Sequence, residues 1–390
     1  MKKLRKLGAL AVSIVGFSLA AALAWNPATA QAAGADTTFT AIPPVDTGTV
    51  NLTAVSMKSA TDAWTVGVKY LNANTVIATL AERWNGTRWQ VTPTPSPTGN
   101  ADVLNGVADV SPANAWSVGY SENTAGTYTA LIEHWNGTRW SQVPGGTAAT
   151  SSNETLNAVT AVSATDVWAV GEHFDSTVGG FVGLLEHFDG TAWHIVPSPI
   201  TYTSNGIDHG IPSFNAVVAT SSSDVWTASN SGVQTAVVEH WNGTAWSVVP
   251  TPPLAVLNGQ AVNTVAVVGL AATSAGDVWA VGGTTGFGRH APHNQLVEHW
   301  DGASWSLVPA PADAATPLGL SGVAALSAGD AWALGFQPGT ANPAFEHWDG
   351  TAWSNVAEPG VSGVLSELVS APGGALLALG STQAFLSTNG

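Results

Sequence analysis

The sequence contains no cysteine. Disulfides and thiolate metal sites are excluded, and a folded domain must draw its stability from a large packed core. Charge is scarce as well: 9% of the residues are charged, and only ten of 390 are Lys or Arg. Four of those ten, Lys2, Lys3, Arg5 and Lys6, precede the apolar run Leu7–Leu23 and the small-x-small site Ala28-Thr29-Ala30. Residues 1–30 therefore read as a secretory signal peptide. Its removal leaves six basic residues against 26 acidic ones, a net charge of −20. Such a chain repels a phosphate backbone, so nucleic acid is excluded as a partner. No later apolar run is long enough for a membrane span. The expected mature protein is exported, extracellular or in the cell envelope, and monomeric.

What is plentiful is tryptophan, and it is periodic. DVWAVG…LLEHFDGTAWHIVP begins at Asp166, and related segments begin at Asp62, Asn114, Asp224, Asp277 and Asp330. The first Trp of each copy (Trp64, Trp116, Trp168, Trp226, Trp279, Trp332) follows the previous one after 52, 52, 58, 53 and 53 residues. A period of this length marks a repeat architecture. Each copy divides into four short strands, a to d. Strand a is an apolar stretch such as Leu156–Ser163, strand b the VWAVG segment, and strand c a segment such as Leu184–Phe188. Asn-Gly-Thr or Asp-Gly-Thr then reverses the chain into strand d. Pro144, Pro197, Pro250 and Pro309 close strand d, which places it at a sheet edge because proline cannot donate to a ladder.

Four-stranded sheets stacked face to face make a β-propeller. Six copies are complete, and the termini supply a seventh. Val361–Ser370, Ala375–Gly380 and Phe385–Gly390 read as strands a, b and c, and Asp36–Pro44 as the missing strand d. The expected fold is all-β: a seven-bladed propeller over residues 36–390, its last blade closed by the N-terminal strand. Blades are expected at about 51–97, 104–144, 156–199, 214–253, 264–311 and 320–359, with 361–390 plus 36–44 as the seventh.

The repeated residues have a structural reading. Glu82, Glu133, Glu186, Glu239, Glu298 and Glu346 sit one per copy and cannot converge on one atom around a ring, so they are expected to bond neighbouring strands. The turn acids Asp62, Asp166, Asp224, Asp277 and Asp330 are read in the same way. Trp pairs such as Trp84/Trp89 and Trp241/Trp246 should meet across the hairpin. Function falls instead to the b–c and d–a connections, where length varies, and which a propeller gathers on one rim. Tyr70, Tyr120, Tyr128 and Tyr202 lie there with Glu172, Asp175 and Asp208, a composition suited to polar recognition. His173, His209, His290 and His293 also break the repeat on this rim and make a candidate metal cluster with Asp175. No cofactor is required; calcium would find oxygen ligands among the loop acids or in the channel.

The whole mature chain resembles secreted bacterial β-propellers built from DVWAVG and EHWNGTxW repeats, grouped with kelch-type and galactose-oxidase-like propellers. The W-[ND]-G-T-x-W turn is similar to the Asp-box of sialidase-type propellers, without the residues that separate Asp, Gly and Thr there. A sialidase-like site would need three Arg on one carboxylate, and Arg83, Arg88 and Arg139 lie on repeat positions away from the loops. A galactose-oxidase-like copper site needs a Cys-linked Tyr. The resemblance implies the fold, and the residues point to a non-catalytic binding module for an extracellular glycan, cell-wall polymer or protein. The alternative is a carbohydrate-active enzyme, a glycoside hydrolase or polysaccharide lyase, using loop carboxylates.

Overall fold

Each repeat folds into four antiparallel strands in the spatial order a-b-c-d. In the third repeat these are Ser151–Ser163, Asp166–Asp175, Gly180–Phe188 and Trp193–Ile195. The computed structural model describes residues 37–42 and 49–388, apart from 72–75, 99, 147–150, 178, 200, 205–206, 211–212, 230–235, 255, 258–259, 286–292, 312–318, 337–341, 357–360 and 362. The fourth, fifth and sixth repeats form separate four-stranded sheets. The first two share an eight-stranded sheet, joined where Ile77 pairs in parallel with Ala101. Among the described residues there is no helix long and apolar enough to cross a membrane.

The reversal between strands c and d is an Asx turn. In the first repeat Asn85 Oδ1 accepts from the Thr87 and Arg88 amides and from Thr87 Oγ1 at 2.8–3.1 Å. Gly86 takes φ = 88°, where a Cβ would be strained. The same geometry recurs at Asn136, Asp189 and Asn242. Threonine in this motif thus serves the turn. Strand d pairs only with strand c, which makes it the outer edge.

Cohesion comes from faces between consecutive sheets. The hairpin aromatics meet as expected, at 5.7 Å for Trp84/Trp89 and 6.0 Å for Trp241/Trp246. The Trp of strand b then inserts against that pair in the next repeat. Trp168 lies 5.0 Å from Trp241 and 5.2 Å from Trp246, edge-on to the latter. Trp64 packs likewise on Trp135 and Trp140, and Trp279 on Trp348 and Trp353. Trp64, Trp168 and Trp279 have no exposed surface at all. Burial of one such side chain is worth roughly 4–6 kcal/mol by area.

The two termini share one sheet. Thr38–Ala41 pairs with Gln383–Thr388, with Phe39 opposite Ser387. The other strands of that sheet are Leu365–Ser370 and Leu376–Gly380, shorter than the sequence pattern suggests. Leu377 stands where the other repeats have Trp and packs in one cluster with Trp84 and Trp89 of the first repeat. The sheets thereby follow one another around a closed ring.

Strand a carries a feature that its hydrophobic pattern does not announce. A β-bulge interrupts its pairing with strand b in every repeat, at Thr53, Asn105, Asn157, Asn215, Val268, Ser321 and Ser366. The bulge presses strand a onto the last residue of the VWAVG segment. A Cβ on Gly171 would lie 2.0 Å from the Thr155 carbonyl oxygen, and Gly67, Gly119 and Gly282 are equally tight. In these repeats glycine suits the close backbone approach, and the fourth repeat accommodates Ser229 at the same register. The bulged residues line an axial channel of about 520 Å³.

Candidate functional site

The repeated polar residues are consumed by the fold. His187, His240, His299 and His347 each place Nε2 2.7–2.9 Å from the turn aspartate of their own repeat. Arg83 makes the equivalent bond to Asp62 at 2.9 Å. Each imidazole also lies on the strand-b Trp, with centroids 4.2 Å apart for His187 on Trp168. The strand-c glutamates are buried between sheets. Glu186 accepts from the Gly146 amide at 2.8 Å and Glu239 from Ser198 Oγ at 2.6 Å, so each meets the link that follows the preceding repeat. Burial pushes the carboxyls of Glu186 and Glu239 up to about 7, and those of Glu133 and Glu298 up to about 8.

What remains for the rim is aromatic and irregular. Tyr70 and Tyr120 end strand b of the first and second repeats, and Tyr128 begins strand c of the second, opposite Glu122. Tyr120 and Tyr128 meet edge to face at 5.2 Å, and all three tyrosines are half-buried. Burial raises the Tyr120 phenol above its ordinary value, followed by the fields of Tyr128, Glu122 and Tyr70. Those four side chains are therefore neighbours. At the register position of Glu122 and Tyr128, the third repeat carries Phe174 opposite Phe181, their rings 5.7 Å apart and Phe181 exposed. This pair repeats the aromatic contact at the same register of the next repeat, and sequence reasoning passed over it. The signal was present: two Phe flanking the Gly179-Gly180 turn.

Among the described side chains, the acids and histidines singled out from the sequence each have local surroundings of their own. Glu172 is half-buried, its carboxyl raised by burial and partly offset by a hydrogen bond from Ser213. Asp175 accepts from the Thr177 amide and hydroxyl at 2.6 Å and so shapes its own loop. Asp102 is fully buried and accepts from Thr98 Oγ1. His173 is buried with Nδ1 unpartnered, and burial lowers its pKa against the opposing fields of Glu154 and Asp175. Tyr202, Asp208 and His209 lie on a hairpin of their own, Thr201–Ser204 with Ile207–Gly210, where Tyr202 pairs with His209. A second link hairpin joins Val256–Leu257 to Gln260–Ala261. Asn205-Gly206 and Asn258-Gly259 mark both in the sequence. His293 begins strand c of the fifth repeat opposite Thr285, and His290 lies outside the described residues. Among the described residues no three His, Asp or Glu side chains gather to hold a metal.

Solved structures share this architecture at low sequence identity. The chain superposes on a GH74 xyloglucanase from Xanthomonas campestris with a TM-score of 0.58 and 13% identity, over 89% of this chain and 53% of that one. A streptogramin B lyase gives 0.53 and 11%, over 90% and 97%. The β-propeller domain of Cps50 (Swd1) from Myceliophteria thermophila gives 0.50 and 11%, over 82% and 95%. The chain is a β-propeller. It spans about half the length of the xyloglucanase, and at these identities the likeness is one of fold alone. No protein-family model matches the sequence, and no curated protein matches it.

Proposed function

We propose that this propeller has seven blades, the eight-stranded sheet counting as two, and that it acts as a secreted, monomeric, non-catalytic module binding an extracellular polysaccharide. The observation that carries the reading is the aromatic band Tyr70–Tyr120–Tyr128–Phe174–Phe181 on the rim of three consecutive blades. Half-buried rings, with Phe181 exposed beside them, offer flat apolar faces held at low conformational cost, and sugars stack on such faces while the phenol and Glu122 meet their hydroxyls. The repeated carboxylates are buried between sheets and four of the repeated imidazoles are bonded to their own turn aspartate, which leaves recognition to this band.

Pull-down of the mature chain on insoluble cell-wall polysaccharides, beside Tyr120→Ala and Phe181→Ala, tests the reading. Binding is expected to weaken about tenfold or more in either variant, as for the loss of a stacking anchor. Equal retention of all three chains would refute it. The alternative reading, a glycoside hydrolase or lyase, rests on Glu172, a half-buried carboxyl held above its ordinary value near the same rim. Its test is release of reducing or unsaturated ends that disappears in Glu172→Gln.

A further inference from the structure

The axial channel is built in layers. The bulge layer presents hydroxyl or carboxamide groups from six blades and Val268 from the other. The next residue of strand a is Ala54, Gly106, Ala158, Ala216, Gly269 or Gly322, because strands of adjacent blades approach closely there. A Cβ on Gly322 would lie 2.7 Å from the Leu368 amide nitrogen, and one on Gly106 3.1 Å from the Ala158 Cα. Beyond it comes an apolar layer that includes Val107, Val159 and Leu270.

One blade breaks the small-residue layer. The last carries Glu367 at that position, at the seam with the first blade. Among the described residues it is the only charged side chain lining the channel. Its Oε2 accepts the Val55 amide at 2.6 Å, and among the described residues no donor reaches Oε1. Seam closure does not require a charge, since a neutral amide would accept the same bond. A lone carboxylate in a confined channel without a counter-cation is costly. Consistent with that isolation, burial pushes its carboxyl up to about 8.

We propose that the channel binds a small primary amine, its ammonium on Glu367 and the neighbouring hydroxyl and carboxamide oxygens, its carbon chain against the Val and Leu layer. An ammonium has three donors and one charge, which one carboxylate and several neutral oxygens satisfy. Calcium takes six to eight oxygens and favours several carboxylates, which this lining lacks. A volume of about 520 Å³ suits a small-molecule pocket.

The test is titration calorimetry of the mature chain with n-butylammonium chloride, with n-butanol and calcium chloride as separate arms. Saturable one-to-one binding of the amine is expected, with proton release at pH 7.5 seen as a buffer-dependent enthalpy, and none of the alcohol. Glu367→Gln, which keeps an acceptor for Val55, should weaken binding at least tenfold. Val268→Lys places a resident ammonium in the channel from an exposed position and should abolish binding in a chain with unchanged circular dichroism. Equal binding of amine and alcohol, undiminished binding in Glu367→Gln, or calcium binding that the amine cannot displace would overturn the proposal.

Discussion

Glu298 offers the sharpest check on how the blades hold together. The residue has no exposed surface, and neither carboxyl oxygen has a hydrogen-bond partner. Burial alone raises its pKa from the ordinary 4.5 to about 8. The folded chain therefore keeps a proton that the unfolded chain gives up at about pH 4.5. Below that pH the carboxyl is neutral in both states and costs nothing extra; as pH rises toward 8 the unfolded state gains by ionising while the folded state does not. A gap of about 3.5 pH units corresponds to roughly 5 kcal/mol, at about 1.4 kcal/mol per unit, as the ceiling on stability lost by pH 8. Glu298→Gln keeps the shape of the neutral acid and removes the ionisation. Urea unfolding at pH 4.5 and pH 8.5 should give midpoints close to wild type at the acidic pH and distinctly higher at the alkaline one. A variant that differs from wild type equally at both pH values would refute the argument.

Two further substitutions probe the repeat. In the second blade Asn114 replaces the turn aspartate, and its Oδ1 and the Nε2 of His134 are both buried without partners. Asn114→Asp should restore the bond seen in four other blades, raise the His134 pKa that burial now lowers, and add about 1–3 kcal/mol of stability, present at acidic pH and lost as pH rises through the new His134 pKa. NMR titration of His134 and melting at pH 5.5 read both effects. Gly171→Ala drives a Cβ onto the Thr155 carbonyl and should cost about 1–3 kcal/mol in thermal unfolding, whereas Ser229→Gly, at the same register of the fourth blade, should be nearly neutral.

Much of the architecture was legible because its determinants are local. Asn85-Gly86-Thr87 encodes its turn within four residues, and the terminal proline of strand d marks an edge by chemistry alone. The Trp pairs followed from hairpin register. The insertion of Trp168 between Trp241 and Trp246 did not, because it depends on the stacking of two sheets 58 residues apart in the repeat. The bulge was hidden for a different reason. It falls on Thr, Asn, Val or Ser, residue types with no common preference, and its one trace is the glycine across the ladder, which reads as a strand end.

The candidate sites divide along the same line. A ring permits a repeated side chain to touch only its own blade and the adjacent ones, so the strand-c glutamates and turn aspartates had to be structural, and their hydrogen bonds stay within that range. Recognition must then come from departures from the repeat, but a departure is informative only where its surroundings are known. Asp175 departs from the repeat and is used by its own loop; Glu367 departs from it and, among the described residues, keeps one oxygen without a donor in a polar channel. Both look alike in the sequence, a single acid among apolar and hydroxyl residues. The difference lies in the bulge and the seam, which turn one substitution of a small residue into a charge facing the axis.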